Sequence, residues 1–413
     1  MARHAGHDRG MTDFEVRPVT EDERRPTLDV LARSLLDGGL TDGYWDKVAD
    51  SWPAEHKFGA FDDGVPIGVV SSYDTEIVVP GGNRVPVAAV DGVGVRADRT
   101  RRGVLSAMMR TQLDYLAGRG FALACLHASE PTIYGRFGYG VGTLGKTVSI
   151  ALPAARLHDA LLPSGEVRLL TAEEAVRRIP ELYHRIGLHR PGMIGRPEMW
   201  WPITHNQHVR ARHVVAVHSG PDGDDGFVSY ETVDQGTVLD PRRGTVLSVR
   251  ELHAANDAAR VGLWRYLLSV DLVTLVHARY RPVDEPLELM LTDQRHAATT
   301  QVGGDLWVRL LDVPAALSAR TYRDAGTVVL DVTDRWLPAN TGRYEIGPGG
   351  VSRTDAAAGL SLDVDVLGML YLGGWSATAL AQAGRITVHD PAAVSRADEL
   401  FTTIAAPWCG TYF

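Results

Sequence analysis

From Phe14 onward the chain moves between two hydrophobic rhythms. FEVRPV at 14–19 alternates with period two and predicts a strand. Glu21 to about Leu36 follows a helical period that stops at Gly38 and Gly39. Lys57–Val79 reads as strands broken by turns at Asp62-Asp63-Gly64 and Pro80-Gly81-Gly82, and Arg84–Val95 as a further strand. Val104–Ala117 puts Val104, Leu105, Met108, Met109, Leu113 and Leu116 on one face of a helix, which Gly118 and Gly120 end. Phe121–His127 is then a buried apolar strand. Strand, helix and strand in that order predict a βαβ crossover.

The middle third repeats this order more loosely. It shows a helix at about Ala172–Gly187, strands at Arg212–Ser219, Gly226–Tyr230 and Thr245–Leu252, a helix at Asp257–Ser269 and a strand at Leu272–His277. PDGDDG at 221–226 reads as a hairpin turn, and Asn256 or Asp257 as a helix cap. Pro282, Asp284 and Pro286 mark a loop. The last third begins near Gly303 with a strand leading into a helix whose first turn holds Pro314. Strands at Thr327–Val332 and Gly342–Ile346, a turn at Pro348-Gly349-Gly350 and helices at Asp365–Tyr371 and Ser376–Gln382 follow. A chain of 413 residues holds two or three domains. The pattern divides it at 1–150, 151–301 and 302–413, with the second domain reading as a copy of the first.

Composition narrows the classes. The chain is 45% hydrophobic and 23% charged, as globular proteins are, with no run of about 18 apolar residues to span a membrane. The first ten residues lack the apolar core of a secretory signal, and Met11 is an alternative start. Cys125 and Cys409 make no disulfide framework, which fits a reducing cytoplasm. A formal charge of −9 argues against a general nucleic-acid binder and is compatible with a cationic substrate. The pairs His184/His189, His205/His208 and His213/His218 carry no HExxH pattern and no cysteine partners, so no metal is expected. No GxSxG-like elbow supports a serine nucleophile.

The chemistry concentrates in VGVRADRTRRGV, Val93–Val104. Gly103 lets the backbone approach a ligand, and the helix that follows offers outward amides and a positive dipole end. Arg99, Arg101 and Arg102 add charge. The segment suits a pyrophosphate; it also suits a solvated basic turn. It is neither a Walker A loop nor a GxGxxG fingerprint. The middle third carries HAANDAARVG in the equivalent place, without clustered arginines.

The turn resembles motif A of the GNAT acetyltransferases, R/Q-x-x-G-x-G/A. Its register is Thr100, Arg101, Arg102, Gly103, Val104 and Leu105, with Thr100 replacing Arg or Gln and Leu105 replacing a small residue. LHASEPTIYGRFGYG (Leu126–Gly140), DLWVRLLDVPAALSARTY (Asp305–Tyr322) and DVLGMLYLGG (Asp365–Gly374) are similar to stretches of the Eis (enhanced intracellular survival) family. The resemblance implies an α/β fold with mixed sheets: two tandem GNAT-like domains, only the first active, then a sterol-carrier-like C-terminal domain. It further implies a cytoplasmic homohexamer that uses acetyl-CoA, and no metal, to acetylate amines of aminoglycoside-like polycations, at several positions.

Family roles then fall on particular residues. Tyr134 would be the acid that protonates the departing thiolate; a phenol of pKa about 10 is protonated at neutral pH. Read from the residues alone, Tyr134 or Tyr139 could equally be a packed aromatic. Backbone amides of Val93 and Val95 would face the thioester, Val93 donating to its oxygen. Thr100, Arg101, Arg102, Gly103 and Val104 would hold the pyrophosphate, with Ser129 near the thiol. The α-carboxylate of Phe413 would orient the amine and relay a proton. Asp37 and Trp45 would line the acceptor pocket, Asp37 being readable also as a turn residue. Tyr412 stands just before the terminal Phe, where an acid would supply a further ammonium partner. A protein lysine, a polyamine or an arylalkylamine is an alternative acceptor, and a non-catalytic lipid-binding scaffold an alternative of another class.

Overall fold

The computed structural model describes residues 14–162, 164–234 and 244–413; Met11 and the ten residues before it lie outside them. The chain divides into two compact units, and the division falls within two long strands.

The first unit takes described residues 14–73 and 90–119. It contains β1 (Glu15–Pro18), α1 (Arg24–Ser34), α2 (Asp42–Val48), β2 (Lys57–Asp62), parts of β3 (Val65–Val78) and β4 (Arg84–Val95), and α3 (Val104–Gly118). Its strands lie in the order β1-β2-β3-β4, with Lys57 opposite Ser71 across the antiparallel β2–β3 pair. The alternation DGVGV in β4 has a packing reason. A Cβ on Gly94 would lie 2.2 Å from Ser34 Oγ, and one on Gly92 2.7 Å from Leu31 Cδ2. The two glycines therefore let α1 seat directly on the strand, while Val93 and Val95 take the alternate, half-buried positions. On α3, Val104, Met108, Met109, Leu113 and Leu116 are buried as their spacing requires. Leu105 is only partly covered, and Gln112, which falls on the same stripe, is buried instead.

The second unit takes 74–89 and 120–413. Here β5 (Leu123–His127) leads into the one-turn α4 (Pro131–Tyr134) and β6 (Gly140–Val141). A second sheet holds β7 (Leu144–Ala151), β8 (Glu166–Leu170), β9 (Val214–Gly220), β10 (Gly223–Asp234), β11 (Thr245–Ala254), β12 (Val273–Pro282) and β13 (Ala297–Gly304) in the order β13-β7-β12-β11-β10-β9-β8. α5 (Ala172–Ile186), α6 (Gln207–Ala211), α7 (Asp257–Leu268) and α8 (Leu287–Met290) accompany it. β11 and β12 are parallel and joined through α7, so the middle third does repeat the βαβ order. Asn256 caps α7 by accepting from Ala259 N at 2.8 Å. The hairpin expected at 221–226 is tighter: β10 already begins at Gly223, and Asp224 bonds Arg168 and Arg178.

β14 (Leu306–Leu310) follows β13 in sequence but pairs with β5 and β6, antiparallel to both. After α9 (Val313–Ala319), a five-stranded sheet has the order β17-β16-β15-β18-β19. Its strands are β15 (Val328–Thr333), β16 (Gly342–Gly347), β17 (Gly350–Arg353), β18 (Leu360–Asp363) and β19 (Thr387–Val388). α10 (Val364–Tyr371), α11 (Ala377–Gln382) and α12 (Pro391–Phe401) accompany this sheet. No described helix is long and apolar enough to cross a membrane.

Two motifs far apart in sequence are packing partners. A Cβ on Gly140 would lie 1.9 Å from Asp365 O, and one on Gly368 2.7 Å from Val308 O. The glycines of YGRFGYG and DVLGMLYLGG thus admit α10 against β6 and β14. Arg309, fully buried behind this contact, pairs with Asp334 at 2.8 Å, and Asn340 Nδ2 donates to the same carboxylate at 3.0 Å.

Candidate active site

In the first unit the basic turn sits at the head of α3. Arg101 has φ +62° and Gly103 φ +84°, so the chain enters the helix through left-handed backbone that a non-glycine residue adopts only at a cost. Arg101, Arg102 and Gly103 are exposed, and a Cβ on Gly103 would meet nothing within 4 Å. The opening therefore fits a phosphate group approached by backbone amides. Arg99 is engaged with Asp62 at 2.9 Å, and the Thr100 hydroxyl donates to Ala97 O at 3.1 Å. Arg101 and Arg102 are thus the turn's outward cations, and Thr100 would act through its backbone.

Asp37 is exposed just after α1; the Tyr44 phenol on α2 is raised first by partial burial and then by the Asp37 carboxylate. Trp45 is half-buried, with the Arg24 guanidinium 5.4 Å from its ring centroid. A cluster the sequence reading did not single out crosses β2, β3 and β4. Ser71 Oγ donates to Asp91 Oδ1 at 2.6 Å. Burial pushes the Asp91 carboxyl up and the Lys57 ammonium down, each partly offset by the other's charge. Lys57 Nζ lies 4.4 Å from the Trp52 ring centroid.

In the second unit Tyr134 is the last residue of α4, 5% exposed. Burial pushes its phenol up to about 12. Tyr139 meets it edge-on at 6.1 Å and is wholly buried, which fits the packed-aromatic role for Tyr139. The turn after Tyr134 is braced from the third domain. Trp336 Nε1 donates to Arg136 O at 2.6 Å, and the Trp336 ring lies 5.1 Å from Phe137. Ser129 is exposed in the segment between β5 and α4.

The chain's last residues dock at the end of β5. His127 Nε2 is 2.8 Å from Thr411 O, and its Nδ1 faces Asp305 O at 3.1 Å. The Phe413 ring meets the His127 ring edge-on at 4.8 Å, and Tyr412 lies 5.1 Å from it. Upstream, Trp408 N donates to Pro191 O at 2.8 Å and its Nε1 to Tyr280 O at 2.6 Å. Cys409 is buried, donates to Thr411 O at 3.1 Å and has its thiol pushed well up by burial, which makes it structural. The terminal residue therefore packs against His127, which lies seven positions in sequence before Tyr134. His127, Asp305 and Thr411 were not legible as site residues. The single hint was a histidine closing an apolar strand.

Sequence and structure comparisons agree with this geometry. Profiles described as acetyltransferase (GNAT) domain match residues 15–142 and 192–310, and one described as sterol carrier protein domain matches 313–410. An uncharacterized N-acetyltransferase of Streptomyces avermitilis is 37% identical, covering 97% of this chain and 99% of its own. N-acetyltransferase Eis of Mycobacterium tuberculosis is 34% identical over 82% of this chain and 83% of its own. The chain belongs to the Eis family of GNAT N-acetyltransferases. The crystal structure of Eis1 from Mycobacterium abscessus superposes with a TM-score of 0.86 at 35% identity, covering 97% of this chain and all of that one. A GCN5-related N-acetyltransferase from Anabaena variabilis shares the fold at 18% identity and a TM-score of 0.82. Membership makes the chain an enzyme that moves an acetyl group to an amine, and the GNAT fold implies acetyl-CoA as donor. The mixed α/β architecture of two GNAT domains and a sterol-carrier domain is the one expected from the sequence.

Proposed function

We propose that this Eis-family enzyme acetylates amines of aminoglycoside-like polycations, at more than one position, by direct transfer in a ternary complex. The observation that carries the reading is the docked C-terminus: residues 408–413 are held at the end of β5 beside His127, a few positions before Tyr134. Acetyl-CoA supplies the thioester. Amides at the head of α3, with Arg101 and Arg102, hold its pyrophosphate. Val93 N–H donates to the thioester oxygen as charge builds there, Val95 holds the pantetheine, and Ser129 lies near the thiol. Tyr134 gives its phenolic proton to the sulfur as the C–S bond breaks, and the amine's proton leaves towards the Phe413 carboxylate.

A polycationic acceptor is supported by the net charge of −9 and by the exposed Asp37, whose charge reaches Tyr44. Tyr412 is 59% exposed and supplies no charge, so ammonium attraction falls to Asp37 and the terminal carboxylate. A cytoplasmic homohexamer completes the proposal, and light scattering tests the assembly. The test of the reaction is CoA release from acetyl-CoA with a panel of aminoglycosides, polyamines, arylalkylamines and lysine peptides, with mass spectrometry of the products. Gains of one or more acetyl masses on aminoglycosides are expected; turnover confined to another class would replace the acceptor.

A further inference from the structure

We infer that Arg196 is a positioning residue for acetyl transfer, acting on Phe413 through the three residues before it; the inference rests on the reading of the terminal carboxylate as part of the catalytic machinery. Arg196 lies between α5 and α6, and its side chain is 1% exposed. It does not touch the reacting atoms. Its Nε donates to Thr411 Oγ1 at 3.0 Å, and its Nη2 to Glu251 Oε2 at 2.8 Å and Gly410 O at 3.2 Å. Its guanidinium carbon lies 3.9 Å from the Tyr183 ring centroid and 4.3 Å from that of Trp200.

Both rings beside the guanidinium also hold the tail. The Tyr183 hydroxyl donates to Ile194 O at 2.8 Å and lies 3.1 Å from Thr411 Oγ1. Trp200 Nε1 donates to Tyr412 O at 3.1 Å. His253 Nε2 lies 3.1 Å from Gly410 O. Residues 410, 411 and 412 are thus each gripped by the second domain, while His127 of β5 holds Thr411 O from the first. Phe413 is the next residue along, so its carboxylate has little freedom left beyond its own torsions.

The arrangement needs arginine chemistry. The guanidinium presents directed donors in its plane and stacking faces on either side; an ammonium offers neither. Glu251 neutralises it. Burial opposes that carboxylate, but Arg196, His205 and His253 outweigh burial and hold it well below the ordinary range. The segment 253–262 of the second domain lacks the clustered arginines of the first domain's turn. What that domain contributes to the reaction is Tyr183, Arg196, Trp200, Glu251 and His253, a mould for the C-terminus.

The test compares Arg196→Lys in the full chain and in a chain lacking Phe413. Neomycin serves as acceptor, and carboxypeptidase release of Phe413 gives a readout independent of any acceptor. In the full chain, Arg196→Lys should free Phe413 at least about tenfold faster. It should lower kcat about 10- to 100-fold and leave the KM for acetyl-CoA within about twofold. In the chain without Phe413 the same substitution should cost no further turnover, because its only path to the chemistry is gone. Unchanged release, or an equal loss in both backgrounds, overturns the inference while leaving the carboxylate's role intact. Full turnover after deletion of Phe413 removes the carboxylate's role and the inference with it. If Arg196→Lys folds poorly, Thr411→Val removes the Oγ1 bonded to Arg196 and is expected to shift release and kcat in the same direction; no shift overturns the inference.

Discussion

Tyr134 is suited to give a proton at neutral pH because burial pushes its phenol up to about 12, so it stays protonated throughout the working range. Phe keeps the ring and its contact with Tyr139 and removes only the acid. Tyr134→Phe should therefore lower kcat by about 10²- to 10⁴-fold with acetyl-CoA affinity retained, read by steady-state kinetics and calorimetry. Unchanged turnover would leave Tyr134 as a packed ring. His253 gives a pH prediction. Its imidazole is pushed down to about 4 by burial, with Phe227 and Trp408 each 5.2 Å away, against the opposing pull of Glu251. The unfolded chain takes up this proton near the ordinary value of 6.5 and the folded chain does not. The unfolded state therefore binds more protons between those values, and stability is lost as pH falls through that window, by on the order of 3 kcal/mol. His253→Gln should flatten that slope in denaturant melts at stepped pH; an unaltered slope assigns it to other groups. Among single residues, Tyr134, Gly103 and Phe413 could be nominated from the sequence because each belongs to a local motif or to the terminus. Arg196 was not, since one buried arginine among many carries no local mark.

At the scale of elements, β4 has the bounds its alternation predicts, Arg84–Val95, because one face is packed on α1 and the pattern must follow. Its glycines, Gly92 and Gly94, are seats for Leu31 and Ser34. α2 was missed because seven residues offer too few turns for a period to show, although Thr41 caps it by accepting from Tyr44 N. α12 was missed despite Asp390 as N-cap and Pro391 in its first turn, a signal that could have found it. At the head of α3, Gly103→Ala places a side chain at φ +84°. The strain should cost about 1–3 kcal/mol, and reshaping of the amide cradle should raise the KM for acetyl-CoA with kcat nearly unchanged. Thermal melts and initial rates check the two halves separately; wild-type KM would deny the turn its phosphate role.

For the whole molecule the decisive feature is the docked C-terminus, whose last carboxylate the proposed mechanism uses as a side chain. Appending a single glycine after Phe413 leaves every contact of residues 408–412 available and displaces the terminal charge by one residue. Turnover should fall by about 10²-fold while the melting temperature holds; a fully active extended chain would exclude the terminal carboxylate. Hydrophobic period, turn chemistry and three glycine-marked motifs were enough to establish a repeated α/β fold, the phosphate-suited turn and the family, because these depend on neighbours within a few residues. Tertiary structure alone decided that β14 joins the strand leading to Tyr134, that α10 braces the same segment, and that Arg196 and its aromatic neighbours hold residues 410–412. Those contacts join residues up to 228 positions apart, where only burial and directional hydrogen bonding choose partners, and neither leaves a periodic trace in the chain.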